Sequence, residues 1–126
     1  MGLAYGKIQL SNPRIDAFRP VEVEALADSG ANYLCIPERV ANQLHLEATL
    51  TKEVTIANGS RIVCPYVGPI HMHFENRDCY VGALVLGDEV LLGAIPMEDM
   101  DLVVLPLERR FAVNPLHPHM AAGLAK

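Results

Sequence analysis

The sequence has no tryptophan, and aromatic residues make up only 6% of it. A core must therefore be built from Val, Leu, Ile and Ala, and there is enough for one: 51% of the 126 residues are hydrophobic and 20% charged, a globular composition at the length of a single domain. Basic clusters are missing too. With a formal net charge of −5 and no run of Lys or Arg, the chain lacks the positive surface that displaces counterions from phosphates, so nucleic acid is not expected as a partner. No apolar run approaches the ~18 residues of a membrane span. Residues 1–10, with Lys7 inside an alternating pattern, do not read as a signal peptide. Three irregularly spaced cysteines cannot make a disulfide framework, which leaves reduced thiols in a cytoplasmic protein as the expectation.

What the chain does contain is a succession of short strand-like stretches separated by turn signals. They fall at 3–10, 21–27, 33–36, 53–57, 61–67, 70–74, 79–86, 90–95, 101–106 and 111–113. Ser11-Asn12-Pro13 turns the chain, and 14–20 reads as a loop. Asn58-Gly59 is the strongest hairpin signal, because both residues tolerate the positive φ of tight turns. Gly68-Pro69 breaks one strand from the next, and Glu75-Asn76-Arg77-Asp78 forms a polar turn. Helix is scarce. Pro37 opens one short helix with Val40, Ala41 and Leu44 on one face, and Pro96 opens a single turn reaching Met100. Residues 114–126, with Pro115 and Pro118 and a small-residue end, read as a mobile tail after a domain spanning 1–113. The pattern predicts a mostly β, closed or sandwiched architecture.

One stretch is placed for chemistry: Asp28-Ser29-Gly30-Ala31. Apolar Ala25-Leu26-Ala27 enters it and Leu34-Cys35-Ile36 leaves it. Asp, Ser and Gly are ordinary turn residues. Between two buried runs, however, such a turn must satisfy its polar atoms locally. Glycine allows the sharp bend and close approach of another group, and serine can brace the backbone.

The order of these pieces resembles the retroviral-type (retropepsin-like) aspartic proteases, and within them the small prokaryotic single-domain members. Glu24-Ala25-Leu26-Ala27-Asp28-Ser29-Gly30-Ala31 is similar to the family's first signature and Leu91-Leu92-Gly93 to its second. The turn from Pro96 to Met100 matches the following short helix, and the hairpin at Asn58-Gly59 sits where the family has its flap. The resemblance implies a closed acid-protease barrel with one or two short helices, and an aspartic endopeptidase using two carboxylates that share a proton. Only one Asp-Ser-Gly and no Asp-Thr-Gly occur, so the second carboxylate must come from another copy of the chain in a two-fold homodimer.

Roles follow by position. Asp28 is the catalytic carboxylate. Ser29 would brace the partner's loop, Gly30 would let substrate approach, and Ala31, Leu91, Leu92 and Gly93 would support the turn. Asn32, Asn58, Gly59 and Ser60 would contact and close over an extended polypeptide added as a strand. No cofactor or metal is implied. Asn32 and Ala94 stand where many viral members carry an acid–arginine pair, so that interaction is absent.

Two other readings compete. The same fold could grip a peptide or protein as a dimeric, catalytically silent binding module. Alternatively, His71-x-His73, His117-x-His119 and the three cysteines could ligate a metal. Alternation sends His71 and His73 to the face opposite Ile70, Met72 and Phe74, so surface histidines are the preferred reading. Cys35, Cys64 and Cys79 lie in apolar strands with no local base and read as buried thiols rather than nucleophiles. Glu98, Asp99 and Asp101 read as a solvated acidic face.

Overall fold

Alternation decides which residues of each strand face inward. The computed structural model describes residues 3–15 and 19–125. Its strands are β1 (Ala4–Ser11), β2 (Val21–Ala27), β3 (Leu34–Ile36), β4 (Leu50–Thr55), β5 (Arg61–Phe74), β6 (Arg77–Val85), β7 (Val90–Leu92), β8 (Leu102–Leu105) and β9 (Arg110–Val113). Helix α1 (Glu38–Gln43) follows β3 and α2 (Ala94–Asp99) follows β7. The loop expected over 14–20 lies partly outside the described residues.

Six strands close on themselves in the order β1-β5-β6-β3-β7-β2 and back to β1. The mostly β, closed barrel with two short helices is therefore what forms. β4 extends from β5 on one side, and the β9–β8 pair extends from β1 on the other. The barrel interior is aliphatic. Ile8, Leu10, Leu34, Ile36, Ile70, Met72 and Leu92 are fully buried, and α1 adds Val40, Ala41 and Leu44 from the face its spacing indicated. Each such large side chain contributes roughly 1.5–3 kcal/mol relative to exposure. Phe111 supplies aromatic bulk without tryptophan. It packs on Phe74 with ring centroids 5.0 Å apart, and its ring lies against Gly6, where an added Cβ would meet it at 2.5 Å.

Several boundaries differ from the expected ones. Residues 61–74 form one strand rather than two: the register with β6 shifts between Val67 and Ile70. That irregularity absorbs Pro69, which has no N–H for the ladder. The apolar run at 90–95 is a strand only to Leu92, and Gly93 caps α2. The polar turn is just Glu75 and Asn76, because Arg77 and Asp78 already pair in β6. The hairpin at Asn58-Gly59 is a wider loop: Ile56 N–H donates to Ser60 O at 2.9 Å and Gly59 N–H to Ile56 O at 2.8 Å. Only Gly59 in it takes a positive φ, 86°, as in three-residue hairpin loops ending in a left-handed residue.

The C-terminal segment is tied down rather than loose. Asp101 holds it: Oδ1 accepts from Asn114 Nδ2 at 3.1 Å, and Oδ2 pairs with His117 Nδ1 at 2.6 Å and accepts from Ala122 N–H at 3.0 Å. Asn76 Nδ2 donates to Pro118 O at 2.8 Å. Arg77, buried in the opposite sense to its expected turn position, donates from Nη2 to His117 O and lies 3.9 Å from Asp101 Oδ2. Asp101 is thus an anchor and not part of a solvated face.

The Ala122 N–H, the Asn114 amide and then His117 hold the Asp101 carboxyl below the ordinary value of 3.8. A depressed folded pKa adds stability above the unfolded value and loses it as pH falls through the folded one. Thermal melts on acidification below ordinary aspartate values should therefore show falling stability and release of the tail, and Asp101→Asn should make that fall shallower.

Candidate active site

The Asp28 turn is fixed because β7 runs between the strands on either side of it. β2 pairs with β7 in parallel, Leu26 opposite Leu91 and Ala27 opposite Leu92. After the turn the chain returns on the far side of β7, with Cys35 opposite Leu91. Three backbone bonds fasten the loop: Asp28 N–H to Leu92 O at 3.0 Å, Ala94 N–H to Ala31 O at 2.8 Å and Ile95 N–H to Asn32 O at 2.9 Å. Within the turn, Ala31 N–H donates to Asp28 O at 3.1 Å. Gly30 N–H donates to Asp28 Oδ1 at 3.0 Å and orients the carboxylate.

Two glycines make this geometry possible. A Cβ at Gly93 would lie 2.4 Å from Tyr33 O and 2.7 Å from Asn32 C, both rigid backbone atoms. At Gly30 it would come to 3.2 Å from Asp28 Oδ1. The second signature's glycine is thus the floor on which the first signature's loop rests.

The sequence-predicted residues divide into two groups. Asp28, Ser29, Gly30, Ala31, Asn32, Leu91, Leu92 and Gly93 come together here. Asp28, Ala31 and Leu91 are half-buried, Leu92 and Gly93 are buried, and Ser29, Gly30 and Asn32 are exposed. Among the described residues nothing hydrogen-bonds the Ser29 hydroxyl. Asn58, Gly59 and Ser60 stand apart at the exposed tip of the β4–β5 hairpin, where Asn58 Oδ1 accepts from Ser60 N–H at 2.9 Å.

Between the two groups lies a wall that the motif reading did not name. Cross-strand register puts Lys52 opposite Cys64 and Val54 opposite Ile62, on the inner face of the hairpin. Cys35, Cys64 and Leu84 form a small second core, with Tyr33, Val54, Tyr66 and Leu91 packed on it. The Tyr33 and Tyr66 rings meet edge to face, centroids 6.0 Å apart. Lys52 Nζ lies over both, 5.3 Å from Tyr33 and 4.8 Å from Tyr66. Tyr66 fits because β6 carries Gly82, where a Cβ would strike the ring at 2.3 Å. Counting outward from the Asn58-Gly59 loop was the available signal for Lys52 and Tyr66.

The surroundings of each thiol disfavour its thiolate. Burial, with Cys64 and the Asp28 carboxylate adding, pushes the Cys35 thiol up. Burial does the same at Cys64 and takes Cys79 to about 12. His71 and His73 leave the core face as alternation requires, yet they are half-buried and engaged. His71 Nε2 and His73 Nδ1 each lie 2.8 Å from Asp78 Oδ1. These bonds, that from His73 foremost, hold the Asp78 carboxyl low. Among the described residues no group of three or more His, Cys, Asp or Glu could hold a metal ion.

No protein-family model matches the sequence, and no curated protein matches it. Solved structures do. The retroviral protease-like domain of Ddi1 from Leishmania major aligns over 89% of this chain and 90% of that one, with a TM-score of 0.57 at 12% identity. The fold is retropepsin-like. The Simian Foamy Virus (mac) protease also matches, over 75% of this chain and 90% of that one, with a TM-score of 0.44 at 18% identity.

In this retropepsin-like domain the loop's seat on Gly93 makes a direct prediction. Gly93→Ala should destabilise the protein by on the order of 3 kcal/mol in urea unfolding, because backbone must shift to admit one methyl. Gly123→Ala, with open space around it, should stay within about 0.5 kcal/mol of the parent.

Proposed function

We propose that this protein is an aspartic endopeptidase that acts as a homodimer on extended polypeptides. The observation that carries the reading is Asp28 itself: a carboxylate oriented by Gly30 N–H, on a turn seated against β7, half-exposed, and supplied once per chain. Two surface hollows, of about 340 and 280 Å³, are lined by other residues and do not reach it.

In the dimer, Asp28 and the partner subunit's Asp28 face each other and hold one proton between them, since two adjacent carboxylates do not both ionise. The ionised one takes a proton from water as its oxygen attacks the peptide carbonyl carbon. The protonated one gives its proton to the carbonyl oxygen, leaving a neutral tetrahedral diol. On collapse the carboxyl that took the water's proton gives it to the amide nitrogen, the other carboxylate takes a proton from a diol hydroxyl, the C–N bond breaks, and the amine leaves with one proton again shared by the pair. Ser29, whose hydroxyl has no partner among the described residues, braces the facing loop. The β4–β5 hairpin, with Asn58, Gly59 and Ser60 at its tip, covers the substrate, which adds as a strand. β8 and β9, at the end of the sheet and carrying exposed Val104 beside fully exposed Leu107, supply apolar surface for the dimer contact. Three buried, unpaired thiols fit a reducing compartment, and we assign the protein to the cytoplasm.

The test is hydrolysis of a broad peptide pool at pH ~3 to ~7, the range of coupled carboxylates. Asp28→Asn should lower the rate by on the order of a thousandfold or more, with the dimer mass unchanged in sedimentation. A native protein that cuts nothing across this range, yet binds peptides, would be the silent binding module instead.

A further inference from the structure

The inner face of the hairpin carries a charge that the proposed hydrolysis does not use. Lys52 sits midway along β4, half-buried, with its ammonium over the Tyr33 and Tyr66 rings at 5.3 and 4.8 Å. Among the described residues it makes no ion pair. The hairpin's other charges are treated differently. Glu53 and Arg61 pair at 3.7 Å on the outer face, with both side chains mostly in solvent. The one cation turned inward is the one left without a carboxylate. Two aromatic faces attract an ammonium and shield it from water, but they do not neutralise it. Partial burial also raises the value of any anion that reaches it.

The surroundings fit a bound side chain. Tyr33 follows Asp28 through the same fastened loop, and Cys35 packs in one cluster with Tyr33, Tyr66 and Leu91, whose strand carries the Asp28 turn on its next residue, Leu92. Lys52 therefore overhangs the strip along which an extended peptide would lie. Beyond Tyr66 the surface opens into the 280 Å³ hollow, whose lining among the described residues includes one charged group, Arg14, and no carboxylate. Apart from the Asp28 carboxylate, the charged groups placed along this strip, Lys52 and Arg14, are both cations, in a chain of net charge −5.

We infer that Lys52, held by Tyr33 and Tyr66, is a specificity residue that selects an acidic side chain, Asp or Glu, in the bound polypeptide. The inference rests on the reading of this cleft as the peptide site. It goes further by naming the substrate class. Because a two-fold dimer presents Lys52 twice, the acidic preference should appear at two positions placed symmetrically about the cut.

Two readouts keep the inference and the hydrolytic reading apart. The first is mass-spectrometric profiling of cleavage in a proteome-derived peptide library. The second is binding of acidic and neutral peptide pools to the Asp28→Asn protein, which needs no turnover. Native protein should enrich Asp or Glu at the flanking positions, and the Asp28→Asn protein should bind acidic peptides better. Lys52→Met, which keeps the apolar stem over the tyrosines, should reduce both preferences about tenfold, the effect of one charge-assisted contact. Cleavage of neutral peptides should persist, and Lys52→Arg should restore the preference. An acidic preference that survives Lys52→Met, or cleavage and binding indifferent to acidic residues, overturns the assignment. Acid-selective binding that depends on Lys52 without any cleavage upholds Lys52 and contradicts the hydrolase. Enrichment on one side of the cut only upholds Lys52 and contradicts the symmetric dimer.

Discussion

A three-residue strand, β7, holds this molecule's geometry together. It lies between β2 and β3, so the chain cannot pass from one to the other without bridging over its end. That bridge is the Asp28 turn. Leu92 O, just before Gly93, takes the first N–H of the loop, and the first N–H groups of α2 return bonds to Ala31 and Asn32. Each bond is modest alone. Together they leave the loop few ways to move, so the carboxylate is positioned by backbone and not by flexible side chains. Gly93 is the point of closest approach, and any side chain there would push the two segments apart.

Around this centre the chain separates rigid support from accessible surface. The barrel behind the loop is aliphatic and closed. The wall in front, from Tyr33 through Lys52 and Tyr66, mixes aromatic faces with one inward cation. On a separate part of the molecule, Asp101 and Arg77 fasten the C-terminal segment. The Arg77 guanidinium is gripped at one nitrogen, and its Nε and Nη1 have no partner among the described residues. The strap therefore depends on the Asp101 carboxylate more than on the arginine.

The parts readable from the sequence were those set by local chemistry. Alternation located the strands, Pro37 and the spacing of Val40, Ala41 and Leu44 located α1, and the Asp-Ser-Gly turn with Leu91-Leu92-Gly93 located the loop and its support. The parts that escaped were those set by tertiary contact. Residues 114–122 look like a free tail because their anchors are side chains of Asn76, Arg77 and Asp101. Arg77 looks like a turn residue because its burial comes from that same segment. Gly68-Pro69 looks like a strand break because a shift of register is invisible without the partner strand. Lys52 reads as an exposed strand charge until the hairpin register turns it inward.

The claim that each chain supplies half of a shared acid pair can be measured by mixing. Native and Asp28→Asn protein are combined in equal amounts, allowed to exchange subunits, and assayed for peptide hydrolysis against native protein at the same total concentration. If both carboxylates are needed, only native–native pairs act and about a quarter of the activity remains. Retention of about half would mean that a protomer works alone, and would contradict the account.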